Sequence, residues 1–214
     1  MSSEVTICNL ALSHVGHKAS VASIDPPEAS VEAQLCAQFY PIARNRTLEA
    51  FDWSFSRVRV SLTPLVNTNP TWQFAYARPS DAVRILRLLP PESYDDSFEQ
   101  DFTEESLVDG TRVIYSNMEQ AVGVYTRLVT DPAKYSPLFI TAMGFMLGSY
   151  IAGPLIKGRE GRSVAKELLQ LAMGEMSQAK ASNANAAHGH PYSTHRPTLL
   201  GNMSPRIPDA RVLR

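Results

Sequence analysis

The chain has 214 residues, of which 44% are hydrophobic, so it holds enough apolar material for a substantial core. Its formal net charge is -1 and only 19% of its residues are charged, which excludes both general disorder and a globally basic nucleic-acid binder. Two cysteines, Cys8 and Cys36, are too few for a disulfide scaffold, and residues 1–20 show no secretory pattern, so the expectation is synthesis in the reducing cytosol.

In chain order, Val5, Cys8, Leu12 and Val15 recur at helical spacing and predict an amphipathic helix over residues 3–15, ended by Gly16. A second helix is predicted from Asp25 to about Phe51, with Asp25 as N-cap, Pro26 at the first helical position and Glu28 as the acid of a capping box. Val31, Leu35, Phe39 and Ile42 are expected on one face. Pro41 is expected to kink or break the helix, because it removes a donor and clashes with the preceding turn.

The period then changes to that of strands. Val58, Val60 and Leu62 alternate with Arg57, Arg59 and Ser61, and Trp72, Phe74 and Tyr76 alternate with Gln73 and Ala75. Residues 83–89, 113–115 and 122–128 are further strand candidates, which together predict a small antiparallel sheet. Helix returns at Ser136-Pro137, an N-cap followed by proline, and Gly153-Pro154 is expected to stop it. A last helix is predicted over residues 163–181, carrying Val164, Leu168 and Leu171 beside Ala165, Leu169, Ala172, Met176 and Ala179. The expected fold is mainly α with some β (α+β). A four-helix bundle (1–56 and 131–183) carries an inserted antiparallel β subdomain (57–130) and an extended C-terminal arm (184–214).

Charge is unevenly spread. Residues 92–109 hold Glu92, Asp95, Asp96, Glu99, Asp101, Glu104, Glu105 and Asp109 with no lysine or arginine, and read as a long acidic loop within the sheet. The C-terminal arm carries Arg196, Arg206, Arg211 and Arg214 among four prolines, so it reads as extended.

No catalytic constellation emerges. A glycosidase pair needs two carboxylates held at a fixed separation with one in an apolar pocket, and the acidic run is too hydrophilic to offer one. There is no G-x-S-x-G elbow, and His14 and His17 flank a helix end, where capping or surface roles suffice. Residues 158–163 resemble a phosphate loop only faintly, since Ile156 stands where the first glycine belongs and Arg162 replaces the lysine; they read as a flexible turn. His188, His190 and His195 have metal-compatible spacing but sit in a proline-rich segment without a rigid surround. Cys8 and Cys36 read as small core residues. Residues 135–156 are uncharged and long enough to span a bilayer, and Gly144 and Gly148 form a G-x-x-x-G pair; close packing within a soluble bundle explains the same pattern. The expectation is therefore no enzyme, no catalytic residue, no metal and no cofactor.

A resemblance rests on four groups of residues: Asn9-Leu10-Ala11-Leu12 with Val15-Gly16; residues 33–41 with Arg44, Leu48 and Phe51-Asp52-Trp53-Ser54-Phe55; Trp72 to Tyr76 with Pro79, Asp81 and Arg84-Ile85-Leu86; and Tyr125 with Asp131-Pro132 and the helix near Pro137. In this order the chain resembles the tail tubular protein A family, the head-to-tail adaptors of short-tailed bacteriophages. The resemblance implies a helical bundle with a β-rich insertion that forms a dodecameric ring beneath the portal. It implies a virion neck protein assembled in the host cytoplasm, which extends the DNA channel for ejection and presents a platform for tail nozzle or tail fibre proteins. Its partners would be the portal protein, those tail proteins, further copies of itself and genomic DNA passing without sequence-specific contact, with no membrane. On that premise the acidic loop faces the lumen or meets a basic tail component, since a lumen that paired cations with phosphates would grip the duplex. The arm would dock on the portal through Tyr192, Leu199, Leu200 and Ile207 as apolar anchors, with Arg196, Arg206, Arg211 and Arg214 meeting portal acids. The alternatives are a tail-associated cell-wall hydrolase using paired carboxylates and, third, a membrane-active phage protein.

Overall fold

A computed structural model describes residues 3–18, 21–91 and 99–188. The first helix, α1 (Glu4–Val15), follows from its caps. The Ser3 hydroxyl accepts the Thr6 N–H at 3.1 Å, and Gly16 closes the helix at φ 84°, a left-handed conformation that glycine adopts without cost.

Helix α2 (Val31–Ala50) starts later than the sequence predicts, with Ser30 as its N-cap. Asp25 and Pro26 lie instead in a turn bridged between Ile24 and Pro27. Glu28 supports this turn by accepting from the Ala22 N–H and the Ser30 hydroxyl, at 3.3 and 3.0 Å. Pro41 does not break α2. It lies on the exposed side, where water can serve the carbonyl that its missing N–H leaves unpaired. The buried face is also not the bulky stripe: Val31 and Ile42 are 60% and 49% exposed. Ala33, Cys36, Tyr40, Ala43, Thr47 and Leu48 point inward, because the small residues among them permit close approach.

The middle of the chain forms β1 (Arg57–Ser61), β2 (Pro64–Leu65), β3 (Phe74–Ala77), β4 (Ala82–Leu89), β5 (Phe102–Ser106), β6 (Arg112–Ser116) and β7 (Val122–Arg127). They make two antiparallel sheets, one in the order β1-β7-β4 and one in the order β2-β3-β6-β5. A small core fills the space between them, with Ile85, Leu88 and Tyr125 from the first sheet against Tyr76 and Ile114 from the second. Val83 packs on the helical core, so the three-stranded sheet lies between the helices and the outer sheet.

Asp131 caps a short 3-10 turn (Pro132–Lys134), and Ser136 then caps α3 (Pro137–Ile156) with Pro137 in its first turn. Gly153-Pro154 does not stop α3; it ends at Lys157, where φ is 61°. Helix α4 (Gly158–His188) begins at once, so residues 158–163, expected as a flexible turn, are its first turns. Gly161 suits the close approach there, since a Cβ would lie 3.1 Å from the Ala152 carbonyl oxygen and force a small shift.

The helices do not form a four-helix bundle. The chain is an α+β protein, 46% helix and 22% strand, with four helices and seven strands in two sheets among the described residues. Helix α3 takes the centre; α1, α2 and α4 each pack along it, whereas the backbones of α1 and α2 come close over only a short stretch. The physical reason is that α3 is apolar nearly all round and needs cover on every side, which a corner of a bundle would not supply. Gly144 and Gly148 admit the covering helices, lying against Leu10 of α1, and Leu168 of α4 with Ala11 of α1. Helix α3 is long and apolar enough to cross a membrane, yet Phe139, Met143, Met146, Leu147 and Ile151 are buried inside the protein.

Candidate functional site

The junction between helices and sheets is built by residues 51–57. Trp53 is 3% exposed, donates its indole N–H to the Thr47 carbonyl at 2.8 Å and meets Phe51 and Phe139 edge-on at 4.9 and 5.1 Å. Phe139 is fully buried and also contacts Phe55 and Tyr135, with ring centroids at 5.2 and 4.6 Å. Such aromatic pairs contribute about 1 kcal/mol each beyond the area they bury.

Asp52 turns away from this cluster toward the sheet. It accepts both Nε and Nη2 of Arg57, at 2.9 and 2.8 Å, and lies 3.9 Å from Arg87. Arg84 donates to the Glu49 carbonyl at 3.4 Å. Register explains the convergence. Arg57 and Arg84 both pair with Thr126 of β7, and Arg59 and Arg87 both pair with Val124, so the four arginines share one face of the sheet. Three of them thereby reach the C-terminal end of α2, where the helix dipole and Asp52 attract cations.

The acidic segment is only partly a loop. Glu104 and Glu105 lie in β5, and Asp109 lies in the turn before β6, where its carboxylate accepts the Thr111 N–H at 2.9 Å. That bond holds the Asp109 carboxyl below the usual range. Glu99 and Asp101 are exposed. Glu104 accepts Nε of Arg78 at 2.7 Å and lies 3.8 Å from Arg112. Arg78 is 6% exposed, and its remaining nitrogens donate to the carbonyls of Ala82 and Val83 at 2.6 and 2.9 Å. The most enclosed described acid of this segment is thus spent neutralising a buried guanidinium. Glu92, Asp95 and Asp96 lie outside the described residues, as do Tyr192, Arg196, Leu199, Leu200, Arg206, Ile207, Arg211 and Arg214.

The remaining candidates are packing groups. His14 stacks on Phe145 with centroids 4.2 Å apart, and burial holds its imidazole below the usual value. Cys8 and Cys36 are fully buried between α1 and α2; a hydrogen bond from one thiol to the other, with burial, pushes the Cys8 thiol up. Among the described residues no group of three or more His, Cys, Asp or Glu could hold a metal ion. The Arg78–Glu104 lock escaped sequence reading because its partners lie 26 residues apart with no local pattern linking them. The arginines alternating along β1 were a visible signal for the junction.

Neither a protein-family model nor a curated protein matches the chain.

Proposed function

We propose that the protein is a structural head-to-tail adaptor of a bacteriophage virion, forming a ring beneath the portal that continues the DNA channel and carries tail proteins. The observation that carries this reading is where the residues of the family resemblance sit. Several of them join elements of the fold. The Asn9 side chain donates to the Val21 carbonyl and accepts its N–H, both at 3.0 Å, tying α1 to the loop beyond it. Trp53 and its aromatic neighbours lock the junction. The Tyr125 hydroxyl donates to Asp81 at 3.0 Å within the β body, and Asp131 caps the turn that leads into α3. Residues spent on holding structural elements in fixed relation suit a component that transmits position rather than one that turns over a substrate.

The test is native mass spectrometry of the full chain mixed with the portal protein encoded beside it. The expected product is a ring of this protein on the portal, with the docking lost when residues 189–214 are removed and α4 is left intact. Assembly that survives the deletion keeps the adaptor and moves docking onto the helices or sheets. Failure of two folded proteins to associate rejects the adaptor.

A further inference from the structure

A cavity of about 390 Å³ opens at the edge of the β body. Leu62, Pro64, Phe74 and Tyr76 supply its apolar wall, and Glu119 and Gln120 of the connection from β6 in one sheet to β7 in the other stand at its mouth. This connection is tied to the wall. The Tyr76 hydroxyl donates to the Met118 carbonyl and accepts the Ala121 N–H. Between these two anchors Gln120 is held at φ 56°, a left-handed conformation uncommon for a residue with a side chain. The Glu119 carboxylate is exposed and has no hydrogen bond or ion pair among the described residues. Among the described residues no lysine or arginine lines the cavity, and Glu119 is the one charged residue in its lining. Nearby in the chain Leu65 and Val66 are exposed as well, extending the apolar surface beyond the cavity.

We propose that this cavity is a docking point for a partner protein. It would receive one aromatic or branched apolar side chain from a partner segment in which the adjacent residue is lysine or arginine. Size and charge argue together. The volume lies at the small end of ligand sites, which span about 300–1,000 Å³, and suits one or two side chains. Charge complementarity with Glu119 selects a cationic neighbour and disfavours an acidic one. The rim is set in advance by the Tyr76 anchors, so little ordering is needed on binding. This inference stands on the cavity alone and does not depend on the adaptor reading.

The test uses the full chain and two capped peptides, Ac-Gly-Phe-Lys-Gly-NH2 and Ac-Gly-Phe-Glu-Gly-NH2, titrated while backbone amide shifts are followed by NMR. Saturable shifts are expected at Glu119, Gln120 and Ala121. The lysine peptide should bind about 3- to 5-fold more tightly, the range of a solvent-exposed ion pair, with the gap narrowing in high salt. Glu119→Gln should erase that preference while leaving the unfolding midpoint unchanged, and Phe74→Ala should weaken both peptides. Equal affinity of the two peptides for the wild-type chain, or shifts confined to other surfaces, would overturn the proposal. So would binding of phenethylamine at this site by a chain that binds neither peptide.

Discussion

The helical body and the β body solve the problem of burial differently. Around α3 the interior is apolar, closely packed and continuous, from Ile7 and Leu12 through Phe139 and Leu147 to Leu168 and Ala172. The β body divides its apolar residues between a small core inside the two sheets and a smaller cluster around Ala75, Val113 and Tyr115. It supplements them with the buried Arg78 guanidinium, held by Glu104 and two carbonyls, and it leaves a cavity at its edge. Two thin sheets cannot bury as much apolar area as a helix covered on several sides, so polar locks carry more of the load there. The difference teaches that the helical body closes its interior mainly by apolar packing, whereas the β body needs polar locks and leaves apolar surface at its edge.

The largest expected effect tests the helical side. Phe139→Ala should destabilise the protein by about 3–5 kcal/mol in urea unfolding followed by far-ultraviolet circular dichroism, because it empties the centre of an aromatic cluster. A loss below about 1 kcal/mol would mean that the site collapses readily and that packing there is looser than in the contrast drawn above. Next, Glu104→Ala should cost about 2–3 kcal/mol by leaving the Arg78 guanidinium short of its countercharge. Hydrogen exchange should rise first in residues 102–116 while α3 stays protected. Simultaneous loss of protection in α3 would show that the two bodies unfold as one unit and would break the comparison.

A smaller effect depends on pH and belongs to the helical side. Burial pushes the Tyr135 hydroxyl up to about 12, and that hydroxyl donates to the Val129 carbonyl at 2.9 Å. The unfolded chain releases this proton near pH 10, before the folded chain does. The stabilisation is therefore complete below about pH 10 and declines as pH rises, reaching a loss of about 2 kcal/mol near pH 12. Tyr135→Phe should lower stability at pH 8 through the lost hydrogen bond but flatten the decline between about pH 10 and 12. An equally steep decline in the variant would place the alkaline sensitivity elsewhere.

Much of this molecule was written locally. Ser3 and Gly16 at the ends of α1, Ser136-Pro137 at the start of α3 and the strand segments of β1, β3, β4, β6 and β7 were legible because each depends on neighbours within a few residues. The start of α2 was misread because Asp25-Pro26 and Ser30 are both good caps, and the contacts of Glu28 decided between them. The acidic run masked β5, since a strand whose glutamate meets a guanidinium from β3's end need not be apolar. The connection with Glu119 and Gln120 was implied by the strands on either side, but nothing local marked it as the rim of a cavity.

The sequence by itself determined the order of the helices and most strands, because caps and periodicity are short-range properties of the chain. Only the tertiary structure decided that α3 is central, that the strands split into two sheets, and that four arginines share one face. It also decided that Arg78 is locked by Glu104 and that Glu119 overlooks an apolar cavity. These are pairings between residues far apart in sequence, chosen by which faces had to be covered, and no local pattern encodes them.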